Sequence, residues 1–188
     1  MLIVLEGGDG GGKTLQLRLL KEKFPDAVPF KYPTGNYQML NDYLQKKVFI
    51  DSKSLFLLFL ADIADEQEKV KKALSDNKRV ILDRYVFSTI AYEVDGISHE
   101  QGKRIVEGVD FLKPDIVILL DVPPETSQER KRKQKTLDRY EEDLAYLGRV
   151  RSNFRKLCEE RFLTPNWHMI DAMRSVDEVH ADIVKLLR

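Results

Sequence analysis

The apolar run Leu2-Ile3-Val4-Leu5 passes, after Glu6, straight into Gly7-Gly8-Asp9-Gly10-Gly11-Gly12-Lys13-Thr14, and Leu15, Leu17, Leu19 and Leu20 follow at once. A short buried strand, a glycine loop and an apolar-rich helix in direct succession constrain the fold more than any other feature of the chain. Glycine tolerates positive φ and lacks a Cβ, so backbone N–H groups of such a loop can converge on phosphate oxygens. Gly7 and Gly12 stand at the P-loop spacing, Lys13 is placed to reach β- and γ-phosphates, and the Thr14 hydroxyl to coordinate Mg²⁺. Segment 7–15, with Gly7, Gly8, Gly10, Gly11, Gly12, Lys13, Thr14 and Leu15, is therefore expected to hold the phosphates of ATP.

Short apolar runs then alternate with longer helical patterns, and no linker, repeat or low-complexity segment interrupts them. Segment 27–32 reads as a second strand, with Pro29 suited to a strand start or an edge. Segment 37–46 reads as a helix. Asp51 or Ser52 caps a long helix that is apolar all round at first and amphipathic towards Leu74. A helix apolar on every side must be buried on every side, in the core or against a second subunit. Segments 79–83 and 115–121 are near-continuous apolar strands ending in aspartate, of the kind covered by helices on both faces. Segment 167–171 is the last strand and 176–187 the closing helix. The expected fold is α/β: a doubly wound, five-stranded parallel sheet with helices on both faces and the ligand site at the carboxyl ends of the strands. Residues 1–188 form one domain on this reading, of a length that supports a sizeable core.

Charge and composition narrow the function. Basic and acidic residues cancel at 31 each, which disfavours a nucleic-acid-coating or membrane-surface protein. The strongly apolar stretch 55–61 is too short to span a bilayer. The start, Met1-Leu2-Ile3, lacks the basic region of a signal peptide. The one cysteine, Cys158, excludes an internal disulfide and reads as a packing residue in a reducing compartment. A cytoplasmic protein is the expectation.

Asp83 closes its strand and Arg84 follows, so both should project near the phosphates. The carboxylate can hold Mg²⁺ and the guanidinium can grip a phosphate bidentately; a structural ion pair is the plainer alternative. Asp121, before Pro123-Pro124, has no neighbouring cation in sequence, and structural and metal-proximal roles both stay open. Arg130-Lys131-Arg132-Lys133-Gln134-Lys135 is a basic run after the fourth strand. It is either a solvated face or part of a lid, at about 128–137, that closes over the nucleotide. The guanine-reading Asn-Lys-x-Asp motif is absent. Phosphoryl transfer to a small molecule is the function these residues support, with the acceptor unnamed.

In order along the chain, Glu6-Gly7-Gly8-Asp9-Gly10-Gly11-Gly12-Lys13-Thr14, Asp83-Arg84-Tyr85 with Ser88 and Ala91-Tyr92, Asp121-Val122-Pro123-Pro124-Glu125, Asp138-Arg139-Tyr140-Glu141 and Ile170-Asp171-Ala172 with Arg174 resemble the thymidylate kinases. The resemblance implies transfer of the γ-phosphate of ATP to thymidine 5′-monophosphate with Mg²⁺, by a homodimer packed through helices. It implies that Asp9 meets the acceptor sugar hydroxyl and the metal shell, and that Phe59 stacks on the base. Arg84 holds the acceptor phosphate, Tyr92 and Tyr140 pack around the sugar, and Ala172 and Arg174 lie near adenine. Lys31, Tyr32, Ser88 and Thr89 complete the acceptor site, and Thr14, Asp83 and Asp9 the metal site. Family members with an arginine in the P-loop have it where Gly10 stands here, so the lid is expected to supply the catalytic cation, from Arg130 or Arg132; Gln134 occupies another position where a lid arginine is usual. Ile63 replaces an arginine aimed at the pyrimidine carbonyl, which implies relaxed base selectivity. The alternatives are a kinase of another small acceptor, such as a deoxynucleoside, and a non-catalytic nucleotide-binding module. The first would have no use for a phosphate-gripping Arg84, and the second none for lid cations.

Overall fold

The computed structural model describes residues 1–76, 78–133 and 143–187. Strands β1 (Leu2–Glu6), β2 (Val28–Lys31), β3 (Val80–Asp83), β4 (Ile116–Asp121) and β5 (Trp167–Asp171) form one sheet in the order β2-β3-β1-β4-β5, and every pairing is parallel. The helices among the described residues are α1 (Lys13–Lys23), α2 (Gln38–Leu44), α3 (Ser52–Asp65), α4 (Gln67–Ser75), α5 (Val86–Tyr92), α6 (His99–Val109), α7 (Pro124–Arg132), α8 (Leu144–Glu159) and α9 (Val176–Leu186). Pro29 sits on the edge strand β2, where its missing N–H breaks no interior ladder.

Alternation along the strands divides the core. Leu2, Val4, Leu82, Val117 and Leu119 face a layer containing Phe56, Leu60, Phe87, Val106 and Phe154. Ile3, Leu5, Ile81, Ile118 and Leu120 face Leu20, Val179 and Ile183 of α1 and α9. The chain thus leaves β1 towards one face and β3 towards the other. Adjacent strands whose connections part in this way leave a crevice at their carboxyl ends. Register places Leu5 opposite Asp83, so the P-loop and the Asp83-Arg84 turn are the two walls of that crevice.

The long helix expected from residue 51 to about 74 is two helices. Asp51 caps α3 as expected, its carboxylate accepting from the Lys53 and Ser54 N–H groups at 3.1 Å each. The chain then pivots at Glu66, which is buried, ends α3 through bonds to the Ile63 and Ala64 carbonyls, and starts α4. The amphipathic half packs on β3 while the apolar half packs on α5 and α2, and a single straight helix could not follow both surfaces. Nor is the apolar half covered on every side within the chain: Leu57 is 54% exposed.

Candidate active site

The glycine loop is shaped by its neighbours. Gly7 has φ +138°, and a Cβ there would lie 2.4 Å from the Leu120 carbonyl oxygen of β4, so only glycine fits. Lys13 opens α1 and is buried, and its ammonium donates to the carbonyls of Gly7 at 2.8 Å and Gly8 at 2.9 Å. Burial, reinforced by the nearby Arg84 charge, brings this ammonium down to about 8. Thr14 is exposed in the first turn, where its hydroxyl is open to a metal-bound phosphate.

Across the crevice Arg84 sits at φ +72°, immediately after β3, with its N–H on the Leu5 carbonyl at 3.0 Å. Its guanidinium spans the gap. It donates to Asp9 Oδ1 at 2.6 Å, to the Ser88 hydroxyl at 3.0 Å and to the Tyr92 hydroxyl at 3.3 Å, and lies 5.0 Å from the centre of the Tyr92 ring. Burial by itself would push the Asp9 carboxyl up, but the Arg84, Lys13 and Lys131 charges outweigh it and hold the group at about 2. Asp9 is therefore ionised throughout the physiological range.

Glu6, the last residue of β1, is wholly buried behind this pair. It accepts from the Tyr85 N–H at 2.8 Å, the Ser88 N–H at 3.2 Å and the Ser88 hydroxyl at 2.6 Å. Burial raises its carboxyl to about 7, opposed by those hydrogen bonds and by the Arg84 and Lys13 charges. Glu6 stood in the sequence motif without a role. An acidic residue ending a central apolar strand just before a glycine loop was the signal that it is a buried anchor.

The start of the basic run is docked on the P-loop. The Ser127 hydroxyl donates to the Asp9 carbonyl, Arg130 donates to the Gly10 carbonyl at 3.2 Å and to the Ala172 carbonyl at 2.9 Å, and Lys131 Nζ lies 3.9 Å from Asp9 Oδ1. Arg130 thus straps the phosphate loop to the loop after β5. Arg132, the last residue of α7, is exposed. Gln134, Asp138, Arg139, Tyr140 and Glu141 lie outside the described residues, so the lid past Lys133 and the role of Tyr140 are not addressed by these contacts.

Other expected positions divide. Asp83 is buried, at 2% exposure, at the end of β3 beside the P-loop. Phe59 is half-buried on α3 and Lys31 is exposed at the end of β2. Tyr32 is 3% exposed and packed against Tyr85 with centroids 6.2 Å apart. Ser88 and Thr89 are buried, and the Ser88 hydroxyl donates to Glu6 and accepts from Arg84. The reason is that α5 starts directly after the Asp83-Arg84-Tyr85 turn, which draws its first residues onto β1. Arg174 pairs with Asp182 at 2.6 Å. Asp121 lies in a bidentate pair with Arg151, both bonds at 2.7 Å, with Arg155 at 3.5 Å. The cation that sequence adjacency could not show comes from α8. Asp62 is buried and accepts from the Thr34 N–H at 2.8 Å and from its hydroxyl, tying the loop after β2 to α3. Ile63 is 2% exposed in the core.

A phosphate loop, a guanidinium facing it across the sheet's crevice and a cationic helix seated on top match one family. The thymidylate kinase family model matches residues 5–183. This chain belongs to that family. A probable thymidylate kinase of Methanocaldococcus jannaschii is 38% identical, covering 100% of this chain and 96% of the relative. One from Pyrococcus abyssi is 36% identical, covering 99% and 95%. The thymidylate kinase of Danio rerio is 30% identical, covering 98% and 88%. The solved thymidylate kinase of Candida albicans superposes with a TM-score of 0.82 at 24% identity, covering 99% of this chain and 90% of that one, and shares the fold. Among the described residues no helix is long and apolar enough to cross a membrane.

Proposed function

We propose that the chain, a kinase using ATP as donor, transfers the γ-phosphate to thymidine 5′-monophosphate in the crevice between the P-loop and the Arg84 turn. The observation that carries this reading is the Asp9–Arg84 bond of 2.6 Å, which sets an acceptor-side guanidinium directly opposite the P-loop. A guanidinium there can take an acceptor phosphate bidentately without moving from the line of transfer. Lys13 supplies charge to the β- and γ-phosphates, and the backbone N–H groups of 7–14 cradle them. Asp9 receives the acceptor's 3′-hydroxyl, and Phe59 offers its half-buried ring to the base.

Mg²⁺ suits the donors present. It takes hard oxygen ligands and keeps several waters, and here a buried carboxylate, Asp83, and an exposed hydroxyl, Thr14, flank Lys13. Asp9 is the weaker candidate, since Arg84 already takes its Oδ1. When bound, the ion would neutralise charge on the phosphates. The exposed apolar face of α3 about Leu57 is read as the contact with a second copy, making a homodimer, which sedimentation at micromolar protein tests; a monomer would contradict it. The substrates fit work in the cytoplasm.

Base selectivity is expected to be loose. With Ile63 in the core in place of an arginine, the pyrimidine carbonyl loses a charged donor, and discrimination falls to stacking on Phe59 and to burial of the 5-methyl group, worth about 1–3 kcal/mol in a fitted pocket. A hydrocarbon pocket sorts by a methyl group about 10- to 200-fold, whereas a dedicated hydrogen bond sorts by several powers of ten. Measuring kcat/KM for thymidylate, deoxyuridylate, deoxycytidylate and deoxyguanylate tests both statements. Thymidylate should lead and deoxyuridylate follow; no turnover of any monophosphate would sink the kinase reading.

A further inference from the structure

Among the described cations of the basic run, Lys131, and neither of the arginines that flank it, pairs with the Asp9 carboxylate. Residues 127, 130 and 131 stand at i, i+3 and i+4 on α7 and so share one face. Each reaches the P-loop: Ser127 the Asp9 carbonyl, Arg130 the Gly10 carbonyl, Lys131 the Asp9 carboxylate. Arg130 divides its guanidinium between two backbone carbonyls, at 3.2 Å and 2.9 Å, and ties two loops together. Arg132 is turned about 100° round the helix from Lys131 and is exposed. Lys131 keeps only 19% of its side chain exposed, against 72% for Lys133 two residues on.

Lys131 and Arg84 approach the same oxygen, Asp9 Oδ1, at 3.9 Å and 2.6 Å. Arg84 comes from the turn after β3 and Lys131 from the helix above the P-loop, so two cations from different elements meet at one P-loop carboxylate. Nothing larger than glycine can take this place from within the loop. Gly10 has φ +74°, and a Cβ there would lie 2.9 Å from the Ser127 carbonyl oxygen and 3.2 Å from its Cα. The docking of α7 that excludes a side chain at position 10 is the same docking that delivers Lys131.

We infer that Lys131 is a catalytic residue, the cation that neutralises the transferring phosphoryl group; this rests on the kinase reading above. In that transfer the bond from Pγ to the β–γ bridging oxygen breaks and its electron pair leaves with ADP, while a bond forms from Pγ to an oxygen of the acceptor phosphate. Lys131 makes and breaks no bond in this step and contributes charge alone. Such a contact strengthens in the transition state, so its loss falls on kcat rather than KM.

The test is steady-state kinetics of Lys131→Ala, Lys131→Arg, Arg132→Ala and Lys133→Ala with ATP and thymidylate, with ADP binding and thermal unfolding measured on each. Lys131→Ala should lose about a hundredfold in kcat, the scale of one preorganised electrostatic contact, with both KM values within about threefold. Lys131→Arg should recover most of that loss, and Lys133→Ala, which removes the same charge from the residue that caps the helix, should turn over like the parent. A kcat for Lys131→Ala within about threefold of the parent, or a loss that follows Arg132→Ala instead, overturns the inference while the kinase reading stands. Loss of ADP binding or of folded protein in Lys131→Ala, without recovery in Lys131→Arg, also overturns it and makes the residue structural. A parent protein inactive on thymidylate removes both readings.

Discussion

On the donor side of the crevice one continuous run, residues 7–14, makes the phosphate cradle, and its geometry comes from backbone and glycine. On the acceptor side Glu6, Asp9, Arg84, Ser88 and Tyr92 are joined by hydrogen bonds between residues as far apart as 82 positions in sequence. The donor side is contiguous in sequence, though Leu120 and Ser127 press on its glycines from other elements. The acceptor side is a tertiary network in which each side chain is held by another, from Glu6 through Ser88 to Arg84 and Asp9. Chemistry shared by all P-loop kinases therefore sits in a motif, while the part that chooses an acceptor depends on how the fold closes.

The largest effect is expected on the donor side. Lys13→Ala should cut kcat by about a thousandfold or more, through loss of preorganised charge on the β- and γ-phosphates. The loss should be equal for thymidylate and deoxyuridylate; unequal losses would mean that the two sides are not separable. Next comes Arg84→Lys, which keeps the charge but not the planar fork. A fall of about a hundredfold in kcat/KM for thymidylate with an ATP KM near that of the parent is expected, and an equal rise in the ATP KM would contradict the division. Selectivity follows: the gap between thymidylate and deoxyuridylate should lie within about 10- to 200-fold, and a gap above about a thousandfold would show that another donor does what an arginine at position 63 would have done.

The smallest effect concerns pH. Glu6 is raised by burial from 4.5 to about 7, so between those values the folded chain holds a proton that the unfolded chain releases. Its contribution to stability is full below pH 4.5 and is lost as pH rises through about 7. Asp9, lowered from 3.8 to about 2, acts in the other direction and loses its contribution as pH falls below 3.8. Thermal unfolding of Glu6→Gln should therefore decline less between pH 5 and 8 than that of the parent; identical slopes would place the proton elsewhere.

What could be read from sequence follows the same division. The strand, glycine loop and helix, the aspartate-terminated strands and the edge position of Pro29 depend on neighbours within a few residues, and the fold follows from them. Asp83 and Arg84 were legible as a pair beside the P-loop because one ends a strand and the other follows it. Partners supplied from elsewhere in the fold were not legible: Arg151 for Asp121, Glu6 for Ser88, Thr34 for Asp62. The packing of Tyr32 against Tyr85 and the bond from Ser88 to Glu6 are contacts that their places in the sequence did not show. The helix break at Glu66 carries no glycine or proline, and only the two packing surfaces reveal it. Lys131 was hidden inside a run of like charges, where spacing alone does not say which residue faces the P-loop.

Acceptor-dependent ADP release by the unmodified chain, with thymidylate and thymidine compared at equal concentration, tests the division most directly. Arg84, held by Asp9, Ser88 and Tyr92, has a function in transfer only if the acceptor already carries a phosphate. ADP should form at a steady rate with thymidylate, with thymidine giving no more than the acceptor-free background. Turnover of thymidine equal to or faster than that of thymidylate, or ADP release indifferent to any acceptor, would contradict it.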